Sequence, residues 1–216
     1  MKHPEFALAD ELIYLNHAAV GPWPKRTRDA VVQFAEQNFR YGSHFYPDWL
    51  QKETELRRQF QLLLNAPSAD DIALVKNTSE ALSFVAYGLS WQAGDNIVSS
   101  NEEFPSNRLP WQSLADQGVE FRQADLSSAA TPEAALFALV DDCTRLLTIS
   151  SIQFASGIRM DLERIGEFCR QRGILFCIDA IQSLGGVEFD VQAYKADFVM
   201  ADGHKWMFGP EGLGVP

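Results

Sequence analysis

Residues 145–179, RLLTISSIQFASGIRMDLERIGEFCRQRGILFCID, decide the fold. Two short apolar runs, RLLTISSI (145–152) and ILFCID (174–179), bracket a stretch whose apolar residues recur at helical spacing, DLERIGEFCRQRG (161–173). Asp161 is placed to cap the start of that helix and Gly173 its end. The flanking runs are apolar throughout rather than alternating, as strands covered on both faces are. A strand–helix–strand unit of this kind belongs in a parallel sheet.

The pattern repeats outward from this unit. Downstream, ADFVMAD (196–202) reads as the next parallel strand. Upstream, IALV (72–75) leads to a helix in SEALSFVAYGL, and NIVSS (96–100) leads to a helix near LPWQSLADQG. VEFRQ (119–123) precedes TPEAALFALVDD, where Thr131 is the N-cap and Pro132 takes the first helical position. Before Ile72 the spacing predicts two helices, KRTRDAVVQFAEQNF (25–39) and DWLQKETELRRQFQLLL (48–64). Ahead of them, YLNHAAVGPWP (14–24) reads as a strand or extended segment entering a Gly/Pro turn. The expected fold is a three-layer α/β/α domain with a mostly parallel sheet. Residues 1–25 form an N-terminal segment at the site and residues 26–216 the large domain.

Composition narrows the partners. With 216 residues, 46% of them apolar, the chain can bury a sizeable core. Its formal charge of −11 repels phosphate backbones, so no nucleic-acid partner is expected. No apolar run approaches the roughly 20 residues that span a bilayer, and acidic residues interrupt the start where a signal peptide needs an apolar stretch. No membrane association and a cytoplasmic location are expected. Cys143, Cys169 and Cys177 are odd in number and widely spaced, as reduced thiols are. The histidines His3, His17, His44 and His204 show no metal-ligand spacing, and no metal site is expected.

Ligands of open α/β sheets bind outside the carboxyl ends of the strands, so the residues after each strand carry the functional reading. After IALVK comes NTSEAL. Asn77 or Thr78 caps the helix there with Glu80 closing a capping box, or the free amides and the Thr78 and Ser79 hydroxyls cradle a phosphate. After NIVSS comes NEEFPSN, where Phe104 either covers local core or stacks on a planar ligand. After ILFCI comes Asp179, a carboxylate at a buried edge that either caps the next turn or pairs with a protonated nitrogen. After ADFVMAD, a glycine turn presents His204 and Lys205. Asp179 and Lys205 then close consecutive strands and face one cleft. A phosphate, a planar ring, a cationic ring nitrogen and an aldehyde for the lysine describe a single ligand, pyridoxal 5′-phosphate. The rival reading makes the lysine and aspartate merely structural.

Several segments, in order along nearly the whole chain, resemble the class V aminotransferases of fold type I, a family that includes cysteine desulfurases and kynureninases. They are YLNHAAVGP, NTSEAL, EEFPSNRLPW, SIQFASGIRMDL, IDAIQSLGG and ADGHKWMFGPEGLG. The resemblance implies that Lys205 is the Schiff-base lysine and that Asp179 pairs with the pyridinium. It further implies that Phe104 stacks on the ring and that Thr78, Ser79 and His204 hold the phosphate. Gln182 is implied beside the ring's phenolic oxygen, with Gln153 nearby, and His17 and Ala18 on the substrate side. An amino-acid substrate, transferase or lyase chemistry and a homodimer are implied as well.

Three departures qualify the match. Phe104 stands where desulfurases carry a histidine. Asp202 stands where many relatives have a small or hydroxyl residue, and an anion there repels phosphate unless it turns away or is neutralised. The sequence ends at Pro216, inside the strand expected after the lysine loop, so a C-terminal small domain bearing a substrate-carboxylate arginine is expected to be absent or truncated. The alternative function is therefore a fragment that binds the cofactor or dimerises without turnover.

Overall fold

The computed structural model describes residues 3–215; the extreme ends of the two expected ranges, Met1–Lys2 and Pro216, lie outside the described residues. Helices α1 (Lys25–Tyr41) and α2 (Tyr46–Leu64) come first, then α3 (Thr78–Gly88). Strands β1 (Asn96–Ser100), β2 (Glu120–Ala124) and β3 (Thr144–Ser150) follow, with the short helices α4 (Leu109–Gln112) and α5 (Pro132–Phe137) between them. Helix α6 (Leu162–Arg172), strands β4 (Leu175–Asp179) and β5 (Phe198–Asp202) and a two-residue β6 (Gly214–Val215) complete the order.

The sheet runs β2-β1-β3-β4-β5-β6, parallel from β2 to β5 and antiparallel at β6. Successive side chains of a strand point to opposite faces, and the core divides accordingly. Ile97, Leu146, Cys177 and Met200 join α3, Trp111 and Leu114 on one face. Their neighbours Val98, Leu147, Phe176, Ile178 and Val199 join Phe60 and Leu64 of α2, Leu136 of α5 and Ile165 and Cys169 of α6 on the other. That two-sided burial makes the three layers. No helix among the described residues is long and apolar enough to cross a membrane.

The central unit forms as its caps dictate: Asp161 accepts the Arg164 N–H at 3.0 Å, and Gly173 ends α6 in the left-handed region. Two outer segments differ from expectation. IALV contributes a single bridge, Val75 to Gly214, because the two-residue β6 offers it no longer partner. LPWQSLADQG makes only four α-helical residues before tightening to a 3₁₀ turn that Gly118 ends at φ 78°. YLNHAAVGPWP takes the extended form of its two expected alternatives, with a turn, and is held by contacts to the loop after β5. Gly21 N–H donates to His204 C=O at 2.7 Å, Trp23 Nε1–H to Gly209 C=O at 3.1 Å and Thr27 Oγ1–H to Phe208 C=O at 3.2 Å.

Gly21 lies so close to that loop that a Cβ built on it would stand 2.1 Å from the Lys205 carbonyl oxygen. Backbone must move to relieve such an overlap. We expect Gly21→Ala to destabilise the fold by about 1–3 kcal/mol, read from the urea midpoint; an unchanged midpoint would show that the segment docks differently.

Candidate active site

A cleft of about 520 Å³ opens at the carboxyl edge of the sheet. Parallel strands deliver their terminal residues to one edge, and here β3 ends at Ser150, β4 at Asp179 and β5 at Asp202. Ser150 pairs in register with Asp179, and Asp179 with Met200. The cleft is lined by Thr78, Ser79, Phe104, Asp179, Gln182, His204 and Lys205 from the domain and by Ala18 from the N-terminal segment. His17 and Gln153 lie outside that lining. His17 stacks on Trp206 at 5.3 Å, and Gln153 is buried behind the wall with its Nε2–H donated to Glu103.

Asp179 is 1% exposed. One oxygen, Oδ1, accepts the Ile181 N–H at 3.0 Å, while Oδ2 is buried with no partner. The turn-capping and ligand-pairing readings thus both find an oxygen. Burial pushes the carboxyl up to about 7; the Ile181 N–H opposes that rise, nearby Glu103 adds to it and Lys205 pulls against it. Lys205 is lowered from the usual lysine value, chiefly by burial, with Asp179 and Asp202 opposing. Its Nζ sits 5.8 Å from the centre of the Phe104 ring. Phe104 is 46% exposed, so it is not core cover; it meets Phe154 edge-to-face at 5.1 Å and forms one wall.

At the other end Asn77 caps α3, its Oδ1 accepting the Glu80 N–H at 2.9 Å, and Glu80 reaches back to the Lys76 N–H at 2.7 Å. The first amides of a helix have no intrahelical acceptor, and the Thr78 hydroxyl beside them is buried without a partner. Asp202 is buried against His204, Oδ1 to Nδ1 at 3.0 Å, an ion pair once the imidazole is protonated although not aligned as a hydrogen bond. Gln182 is held at both ends of its amide, Nε2–H to Ala18 C=O at 3.0 Å and Oε1 from Trp206 Nε1–H at 3.2 Å.

The sequence did not single out Glu103, Ser150, Phe154 or Glu211. The last three line the cleft, and Glu103 lies just behind it. Glu103 is one of two adjacent glutamates, a pattern that reads as solvated charge, yet it is 3% exposed. Its place beside Phe104 at a strand end was the available signal. Among the described residues no cluster of three or more histidine, cysteine or acidic side chains is placed to hold a metal.

A dry carboxylate oxygen lacking a donor, a half-buried amine beneath an aromatic face and a helix N-terminus with an orphan hydroxyl fit pyridoxal phosphate in nitrogen, aldehyde, ring and phosphate. Fold and cleft together define a fold type I pyridoxal-phosphate domain. The chain belongs to the class V aminotransferase family, whose model matches residues 13–215. It is 38% identical over 97% of its length to a probable cysteine desulfurase of Methanothermobacter thermautotrophicus and 33% identical over 98% to one of Pyrococcus abyssi, covering 54% of each. Among solved structures, it superposes on a cysteine desulfurase of Escherichia coli with TM-score 0.82 at 28% identity, covering 94% of this chain and 53% of that one. The chain spans about half the length of the curated relatives it matches.

Because the Asp179 carboxyl rises in the fold from 3.8 to about 7, the folded chain holds its proton more tightly than the unfolded one does. The contribution is complete below about pH 4 and is lost as pH rises through about 7. Without added cofactor, the chain is expected to lose a few kcal/mol of stability across that window, and Asp179→Asn to flatten the loss. Denaturant titrations at pH 5 and pH 8 check this; equal slopes in both proteins would contradict it.

Proposed function

We propose that this chain holds the cofactor of a pyridoxal-phosphate-dependent enzyme acting on an amino acid, with carbon–sulfur cleavage of cysteine the reaction that its relatives favour. The observation that carries this is the pairing of Lys205 with the partnerless Asp179 Oδ2 across one cleft beneath Phe104. When bound, pyridoxal phosphate supplies an electron sink for a bond breaking at the substrate's α-carbon.

The side chains divide the remaining work. Lys205 Nζ would hold the cofactor by its aldehyde, and as an amine whose proton affinity is lowered by burial it is suited to moving the substrate's α-proton. Asp179 Oδ2 accepts the ring N–H and keeps that nitrogen protonated. Phe104 gives the ring a flat face. Thr78, Ser79, the first amides of α3 and His204 take the phosphate, and His204 also lies against Asp202, Nδ1 to Oδ1. Gln182 meets the phenolic oxygen from a fixed amide, and Gln153 supports that side from behind through Glu103. Residues 1–25 supply the substrate side through Ala18, with His17 steadying Trp206, and residues 26–216 supply the cofactor cradle.

None of the three cysteines is positioned to receive sulfur in the cleft. Burial pushes Cys169 up to about 12 and raises Cys177 further, and neither lines the cleft. Cys143 is exposed at the amino end of β3, about 20 Å of strand from the carboxyl edge. Self-association is part of the proposal: α1 buries no residue and leaves Val32, Phe34 and Phe39 exposed.

Cofactor holding without turnover is the second reading. It is favoured by the lining of the cleft, where Lys205 is the only lysine or arginine among the described residues.

The test is the visible absorption of the purified chain with pyridoxal phosphate. We expect a band in the unaltered chain and its loss in Lys205→Ala; a band unchanged by that substitution would refute the assignment. Sulfide or keto-acid release from added amino acids then separates turnover from cofactor holding.

A further inference from the structure

Glu103 is a buried charge just behind the carboxyl edge to which the chemistry above gives no part beyond holding Gln153. Its carboxylate accepts the Ser150 N–H at 2.8 Å, the Ser150 Oγ–H at 2.6 Å, the Asn107 Nδ2–H at 2.8 Å and the Gln153 Nε2–H at 2.7 Å, with Ser100 Oγ a longer contact at 3.4 Å. Every one of these donors is neutral. The carboxylate is therefore well hydrogen-bonded but meets no cation, and a buried charge in that condition keeps its field on its neighbours.

The neighbour that matters is Asp179. Ser150, which gives Glu103 two of its hydrogen bonds, is the register partner of Asp179 on the adjacent strand. The charged and titratable groups facing this point come from three elements. The loop after β1 brings Glu103, and β4 itself brings the Cys177 thiol two residues before Asp179. The loop after β5 brings Lys205, whose ammonium also feels Asp202, itself against His204. The Lys205 ammonium thus answers Asp179 and Asp202 and leaves Glu103 without a cation, and Asp179 Oδ2 still has no hydrogen to accept.

We propose that Glu103 is a positioning residue acting through Asp179: its fixed negative charge makes the carboxyl edge demand one further positive charge at Asp179 Oδ2, supplied by a proton or by a protonated ring nitrogen. The rise of Asp179, set first by burial and increased by Glu103, accords with this. The inference rests on the reading that a protonated nitrogen meets Asp179, but it has a consequence in the chain without cofactor.

Substitution separates charge from hydrogen bonding. Glu103→Gln keeps the shape and removes the charge. Its amide meets one fixed donor in either orientation: on the Oε1 side the nitrogen faces the Ser150 N–H, and on the Oε2 side it faces Asn107, which cannot reverse while its Oδ1 accepts from Trp111 and Thr148. Glu103→Asp keeps the charge and shortens the reach. The Asp179 carboxyl carbon, followed by ¹³C NMR over pH 4–9 in the unloaded chain, reads the difference. We expect Glu103→Gln to lower the Asp179 midpoint by about one pH unit and Glu103→Asp to hold it within about half a unit. A midpoint unmoved by glutamine, or moved equally by both, overturns the proposal. If Glu103→Gln folds only with cofactor bound, the pH midpoint of the visible band is compared instead, with the same expected direction and the same overturning result. A failure of the unaltered chain to develop any band counts against the reading of the site and not against Glu103, which the NMR arm measures alone.

Discussion

Carrying the Asp179 carboxylate to the dry end of β4, and leaving one of its oxygens without a donor, is a cost that the fold alone has no reason to accept. The remaining architecture follows from accommodating it. The parallel order β3-β4-β5 brings Ser150, Asp179 and Asp202 to the same edge, and the turn after β5 returns Lys205 to face the carboxylate. Burial then acts on both groups in opposite directions, holding the acid's proton and loosening the amine's. A buried carboxyl oxygen with no hydrogen to accept and an amine that gives up its proton are what a protonated ring nitrogen and an aldehyde require.

The N-terminal segment serves the same end by another route. Among the described residues it forms no strand, yet it closes over the lysine loop through the Gly21 N–H and the Trp23 indole, joined by the Thr27 hydroxyl from the first turn of α1. Through Ala18 it also holds the amide of Gln182 in one orientation. A site built from loops is made rigid here by chain that crosses it rather than by regular structure beneath it.

Legibility in the sequence followed physical locality. The unit from β3 to β4 was readable because capping and burial there depend on neighbours: Asp161 and Gly173 terminate α6 by local rules, and the flanking strands are covered on both faces. IALV failed as a strand because strand formation depends on a partner, and β6 offers two residues. Lys205, Asp179 and Phe104 were readable because strand ends in a parallel sheet share one edge by topology. Glu103 was not, since the four close donors that bury it come from Asn107, Ser150 and Gln153, and no spacing rule joins those residues to an acidic pair at 102–103. The contact of Asp202 with His204 was likewise invisible, because it depends on the direction of the His204 ring.

Borohydride reduction of the chain mixed with pyridoxal phosphate, followed by peptide mapping, tests the central claim most directly. The account predicts a single stable adduct on the peptide containing Lys205, formed in the unaltered chain at cofactor concentrations that leave the exposed lysines unmodified. Adduct spread over surface lysines such as Lys52, or located on any peptide other than that of Lys205, would contradict it.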